Sequence, residues 1–217
     1  MVTITIFIEG GNLNDATSGT ETLRESFRKL LAPKSSTQQF RLIIEMRGPN
    51  NQTIKDFKNN MDANPDSLIL LDLDDVPTEK QNKLTVWGLN EQEHRVFLMI
   101  QAMESWILSQ PDKLEKYVAE NYVNPQRRKP ETNLSEDDIL KEKIVQEIEK
   151  PDMKLNTLLQ RYFFVEKRGK KKKIKYASKI THGAAMLALL EIELLKITFP
   201  EVKRLTEKLD NFIKKTI

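Results

Sequence analysis

Cysteine is absent from this chain of 217 residues. That excludes disulfides, zinc–thiolate sites and cysteine nucleophiles, and it fits a reducing compartment. A long uncharged apolar run is missing too. The most apolar late stretch, AAMLALLEIELLKITF, is broken by Glu191, Glu193 and Lys196, so it does not read as a bilayer span. The opening MVTITIFIEGG has neither a basic leader nor a small-residue cleavage site, and it alternates as a strand does. The expectation is a cytoplasmic protein with no membrane partner. No glycine-rich loop ends in the lysine and hydroxyl residue that nucleotide hydrolysis needs, so ATP work would belong to a partner. Internal repeats are not evident. Neither sign of charge dominates: 35 Lys and Arg face 32 Asp and Glu, so the distribution matters more than the net charge of +3.

The distribution is uneven. Within residues 167–175, KRGKKKKIK, seven of nine residues are basic, whereas residues 133–150 are rich in Glu and Asp. The length suits one large domain or a domain with an appended lobe, enough to bury a core unaided. Strands are expected at residues 3–8, 40–46 and 67–71, with helices at 21–31 and from 50 to about 61. Ser18 and Glu21 read as a capping box for the first helix. Strand, helix, strand, helix, strand with short connections implies a parallel α/β sheet with right-handed crossovers. Further helices are expected at 93–109, 135–149, 153–164, 182–197 and 201–213, the last two parted by Pro200. Ser135 and Asp138 would cap the second of these, with Asp137 and Lys141 as an ion pair along it. Residues 121–131 read as a polar connector.

The stretch SLILLDLDDVP, residues 67–77, poses the functional question. A buried strand runs straight into Asp72, Asp74 and Asp75. Ligands of open parallel sheets collect beyond the carboxyl ends of the strands, where neighbouring strands diverge. If the first and third strands are neighbours, Glu9 meets Asp72 and Asp74 on one rim. Strand alternation would point the two aspartates the same way. Clustered carboxylates repel unless a cation compensates, and hard oxygen ligands suit Mg²⁺ or Mn²⁺. Acidic residues at such exits also serve as turn and cap residues.

Glu after the first strand followed by glycine (FIEGG), with Asp-x-Asp after the third (LLDLDD), resembles the Toprim fold of topoisomerases, primases and overcoming-lysogenization-defect nucleases. HRVFLMIQAMESWILSQPDKLEKYV is similar to an M-x-Q-x-M-E-x-W block in a prokaryotic Toprim-like family, domain of unknown function 4276. KYASKITHGAAML resembles that family's C-terminal block. The resemblance implies a Toprim-like (Rossmann-like) α/β core over residues 1–110. A helical C-terminal region, 111–217, would carry the basic loop and pack on that core as one compact domain. It also implies a Mg²⁺-dependent (or Mn²⁺-dependent) nuclease, an anti-phage effector working with an ATPase partner. Carried over by position, Glu9 is the metal-linked acid or base, Asp72 and Asp74 hold the ion, and Glu104 is a further ligand. Lys179 and His182 would touch the scissile phosphate. The related nucleases carry a second glutamate soon after the first. Here Asn12, Asn14 and Asp15 stand in that loop, so Asp15 is the candidate substitute. The chain is too small to carry the separate catalytic-tyrosine domain of a topoisomerase.

Lys170, Lys171, Lys172, Lys173 and Lys175 are the expected contacts to a nucleic-acid backbone. Tyr162, Phe163, Phe164 and Tyr176 flank them as stacking residues would. The plainer reading is a solvated hairpin tip over buried aromatics. Two other functions stay open: a non-catalytic subunit that docks on an ATPase, and a nucleic-acid sensor without cleavage. A homo-oligomer is compatible with each.

Overall fold

The computed structural model describes residues 2–11, 18–32, 40–177 and 179–214. Strand β1 (Val2–Ile8) leads through the loop to helix α1 (Ser18–Leu31), then β2 (Phe40–Met46), α2 (Asn50–Asn60) and β3 (Leu68–Asp72). Helix α3 (Lys80–Trp87) and a 3-10 turn, Asn90–Arg95, precede β4 (Val96–Met99). The four strands form one all-parallel sheet in the order β2-β1-β3-β4. Strands one and three are therefore neighbours, with Ile8 opposite Leu70. Every residue of the inner strand β3 and of the edge strand β4 is buried, so the sheet is covered on both faces there. Phe7 of β1 meets Phe57 of α2 edge to face on one side. Elsewhere in the core Trp106 packs between Phe27 of α1 and Phe199.

The expected helix at 93–109 is instead a 3-10 turn, the strand β4, and the short helix α4 (Met103–Leu108). Val96–Met99 is an uninterrupted apolar run, which periodicity cannot assign between strand and buried helix. Pairing with β3, Ile69 opposite Val96 through Asp72 opposite Met99, decides for strand. Helix α5 (Pro111–Asn121) follows.

No capped helix forms over 135–149; two 3-10 turns, Leu134–Glu136 and Val145–Glu147, flank irregular chain. Asn133, not Ser135, caps the first turn by accepting the Ser135 N–H. Asp137 folds back onto the Ile139 N–H and pairs with Arg161 rather than Lys141. Side-chain bonds of this kind compete with helix. Glu142 then takes a left-handed backbone, φ 56°.

Helix α6 (Pro151–Tyr162) agrees with the sequence reading. The expected basic loop is a hairpin, β6 (Phe163–Lys167) and β7 (Lys170–Lys173), turned at Arg168 and Gly169, both at positive φ. Part of the polar connector, β5 (Gln126–Arg127), joins it as a third antiparallel strand. The single helix expected at 182–197 is three pieces: a π turn over Lys179–Gly183, α7 (Ala184–Leu187) and α8 (Ile192–Thr198). The Gln110 amide holds the break open, accepting from Glu191 N and donating to Glu191 O. Helix α9 (Pro200–Lys214) begins at Pro200 as expected and packs on β4. At the other end of the chain, α1 begins at Ser18, and Glu21 pairs with Arg24. Among the described residues no helix is long and apolar enough to cross a membrane.

Candidate active site

The carboxyl edge of the sheet gathers charge from four distant parts of the chain. Glu9 leaves β1, its N–H still bonded to Leu70 O. Its Oε2 accepts from the Asp72 N–H and from Asn50 Nδ2, each at 3.2 Å. Next to it Gly10 and Gly48 exchange backbone bonds and tie the exit of β1 to that of β2. Gly10 does so at φ 117°, a conformation that side chains rarely adopt.

Asp72 ends β3 and is only 3% exposed. Its Oδ1 accepts from the Met103 N–H at the start of α4, and its Oδ2 pairs with Lys179 Nζ. Asp74 shares the rim but not the burial. The strand has ended by then, and Asp74 sits exposed at φ 53°, its N–H bonded to Gln101 O. Strand alternation therefore does not govern this pair.

Glu104 opens α4 and is 1% exposed. Its Oε1 accepts from the Tyr176 hydroxyl at 2.6 Å, while Oε2 is buried without a hydrogen-bond partner. Asn156 Oδ1 accepts the Tyr176 N–H and fixes that residue from α6. Asp72, Asp74, Gln101, Glu104, Tyr176 and Lys179 line one cleft of about 560 Å³. A hollow of similar size, about 540 Å³, lies between Ile144 and Met153, but its carboxylates are exposed or surface-lying and none is buried.

Burial pushes the Asp72 carboxyl up to about 7; Lys179 opposes this, and Glu9 and Glu104 add to it. Burial likewise raises Glu9, against the pull of Lys179. Burial by itself would lower the Lys179 ammonium, but Asp72, Glu104 and Glu9 together hold it above its ordinary range. Tyr176 is raised by burial and by Glu104, so it is a hydroxyl donor at neutral pH.

His182 lies outside the cleft lining. Its Nδ1 accepts from the Ala177 N–H, its ring meets Tyr117 and Tyr176, and burial lowers its pKa. That is the setting of a neutral wedge behind Tyr176. Lys170–Lys173 and Lys175 are exposed on and beside the hairpin and do not line the cleft. Tyr162, Phe163 and Phe164 are buried, so they offer no stacking faces. Asn12, Asn14 and Asp15 lie outside the described residues.

Several site residues carried no signal in the sequence. Asn50 and the Met103 N–H act only because the topology brings them to Glu9 and Asp72. Tyr176 stood in the quoted KYASKITHGAAML block, yet nothing local linked it to Glu104. Gln101 sits at φ 59° on the cleft wall, a strained conformation of the kind that collects at functional sites.

A hard divalent cation needs several oxygen donors around one point. Glu9, Asp72 and Glu104 are drawn together against one ammonium, and Glu104 Oε2 is an orphaned buried acceptor. The unpartnered buried oxygen is of the hard type that Mg²⁺ takes. Among the described residues no three acidic or histidine side chains are already grouped to hold an ion, and Lys179 sits on Asp72.

No family model, curated protein or solved structure matches the chain.

Proposed function

We propose that this chain is a Toprim-type, Mg²⁺-dependent phosphodiesterase that cuts nucleic acid. The observation that carries the reading is the meeting of Glu9 and Asp72 at the ends of adjacent parallel strands, with Lys179 on the same carboxylate. Glu9, Asp72 and Asp74 would hold the ion, with Glu104 beside them. A bound Mg²⁺ supplies charge neutralisation at phosphate and a more acidic water. The chain's own residues do the rest. Glu9, beside the ion at the end of β1, would be the metal-linked acid or base. Lys179 offers a fixed positive charge to the phosphate oxygens. Tyr176 holds Glu104 in place. The resemblance to domain of unknown function 4276 adds an ATPase partner and a defence role to this proposal.

A second reading draws on one observation. Lys179 already neutralises Asp72, as it would in a docking subunit or a sensor that binds nucleic acid without cutting it. Calorimetric titration with Mg²⁺ and Mn²⁺ separates the two. Under the nuclease reading the wild type binds, the Asp72→Ala/Asp74→Ala variant does not, and Glu9→Gln abolishes cleavage while keeping the fold. Absence of binding by both proteins hands the lead to the docking subunit.

A further inference from the structure

The lysine hairpin does not stand alone. Strand β5 pairs with β6 at Gln126–Phe164 and Arg127–Phe163, and the Arg128 N–H extends the ladder to Tyr162 O at 2.8 Å. A second basic segment, QRRK at residues 126–129, is thereby laid beside KRGKKKK. Antiparallel register puts Arg128, Phe164, Lys171 and Lys173 on one face. Arg128 and Lys171 both lie over the Phe164 ring, at 5.3 and 5.0 Å, and Lys129 lies 5.9 Å from the Tyr162 ring. Tyr162 and Phe164 are a floor beneath the cations, and with Phe163 they are 2%, 5% and 4% exposed.

Among the described residues, Arg128, Lys129 and the seven cations of 167–175 form no ion pair with a carboxylate. Arg127 does, with Glu115. Glu166, opposite Lys171 on that same face, is the one carboxylate set in the sheet. The local surplus exceeds the net +3 of the whole chain, so this is a patch and not a general excess.

We propose that the β5–β6–β7 sheet is a binding surface for the phosphate backbone of double-stranded DNA, which rests on and deepens the nuclease reading. Three observations select this partner. A single-strand surface needs exposed rings on which bases stack, and these rings are buried. A protein interface has an apolar centre and is poor in lysine, whereas no exposed large hydrophobic residue lies on this sheet. Beyond β5 the free end of the β6–β7 hairpin, residues 166–173, is exposed on both strands; a ribbon of that kind fits between the phosphate rows of the major groove of B-form DNA, while the deep, narrow groove of duplex RNA excludes it. The sheet also leads to the cleft. From Lys173 to Tyr176 the chain spans at most about 11 Å, and Tyr176 holds Glu104.

The test is fluorescence anisotropy of the full chain in EDTA, so that binding is read without cleavage. The probes are one labelled 25-base-pair DNA duplex, its single strand, a matching RNA duplex and polyglutamate, each titrated from 50 to 200 mM salt. The DNA duplex is expected to bind at least tenfold tighter than the other three, with affinity falling steeply with salt. Arg128→Ala/Lys171→Ala/Lys173→Ala should lower duplex affinity more than tenfold and flatten the log–log salt slope by about 3. Lys173→Glu alone, on the same face but in neither ring contact, should lower duplex affinity more than fivefold, which separates lost charge from a disturbed Phe164. Unchanged affinity in both variants, or equal or tighter binding of single strand, RNA duplex or polyglutamate, overturns the proposal. Duplex binding by a wild type that cuts nothing in Mg²⁺ upholds the surface and removes the nuclease.

Discussion

Asp72 is held by three neighbours of different kinds. Met103 donates a backbone N–H, Lys179 an ammonium, and Asp72's own N–H goes to Glu9. Burial still outweighs these and lifts its pKa from an ordinary 3.8 to about 7. Between about pH 4 and 7 the folded protein therefore keeps a proton that the unfolded chain has released, and stability falls as pH rises through that window. Urea denaturation in EDTA should show Asp72→Asn gaining on the wild type from pH 5 to 7.5. A gain in the opposite direction would mean that Lys179 dominates. Gly183 is a second point of control. A methyl there would lie 2.7 Å from Met103 Cε and 2.9 Å from the Tyr176 hydroxyl. Gly183→Ala should push Tyr176 off Glu104, cost about 1–3 kcal/mol of stability, and, under the nuclease reading, lower cleavage more than Tyr176→Phe does. Glu9 and Asp72 were legible because strand ends in a parallel sheet have a known geometry. The orphaned Glu104 Oε2 was not, because its environment is made by residues remote in sequence.

Strands β1 to β3 and helices α1, α2, α6 and α9 could be read from the chain because each carries its own period and boundary signals. Strand β4 could not. Its apolar residues also satisfy a helical stripe through Val96, Ile100, Met103 and Ile107, and all four are buried in the actual strand–turn–helix. Pairing with β3, a long-range term, settled the matter. The exit of β4 is where the element meets the site. Asp74 and Gln101, both left-handed, link the two chain exits beyond the strands, the Asp74 N–H donating to Gln101 O and the Gln101 N–H to Asp75 O, and turn them around the cleft. At such a φ glycine is at ease and a β-branched residue is not. Gln101→Gly should leave stability equal or raise it by about 1 kcal/mol, while Gln101→Val should lose about 2 kcal/mol, both measured by urea midpoint. If Gln101 contacts substrate, the glycine variant keeps its fold and loses activity.

Across the whole molecule, Trp106 joins the halves. Its neighbours Phe27 and Phe199 stand near opposite ends of the chain, and it is fully buried between them. The C-terminal region therefore completes the core, as α9 on β4 also shows. Trp106→Ala should cost about 3–5 kcal/mol. Far-ultraviolet dichroism and tryptophan fluorescence of the wild type should report one coincident unfolding transition. Separate transitions would divide the molecule into independent units. The same wiring sets a timetable for synthesis. Asp72 waits 107 residues for Lys179, about 5–20 s at the usual pace of translation. Throughout that interval the nascent chain carries its carboxylates without their ammonium, and a product terminated early never acquires it. The Asp72–Lys179 pair, and with it the finished cleft, is thus absent on the ribosome until the last fifth of the chain is being made.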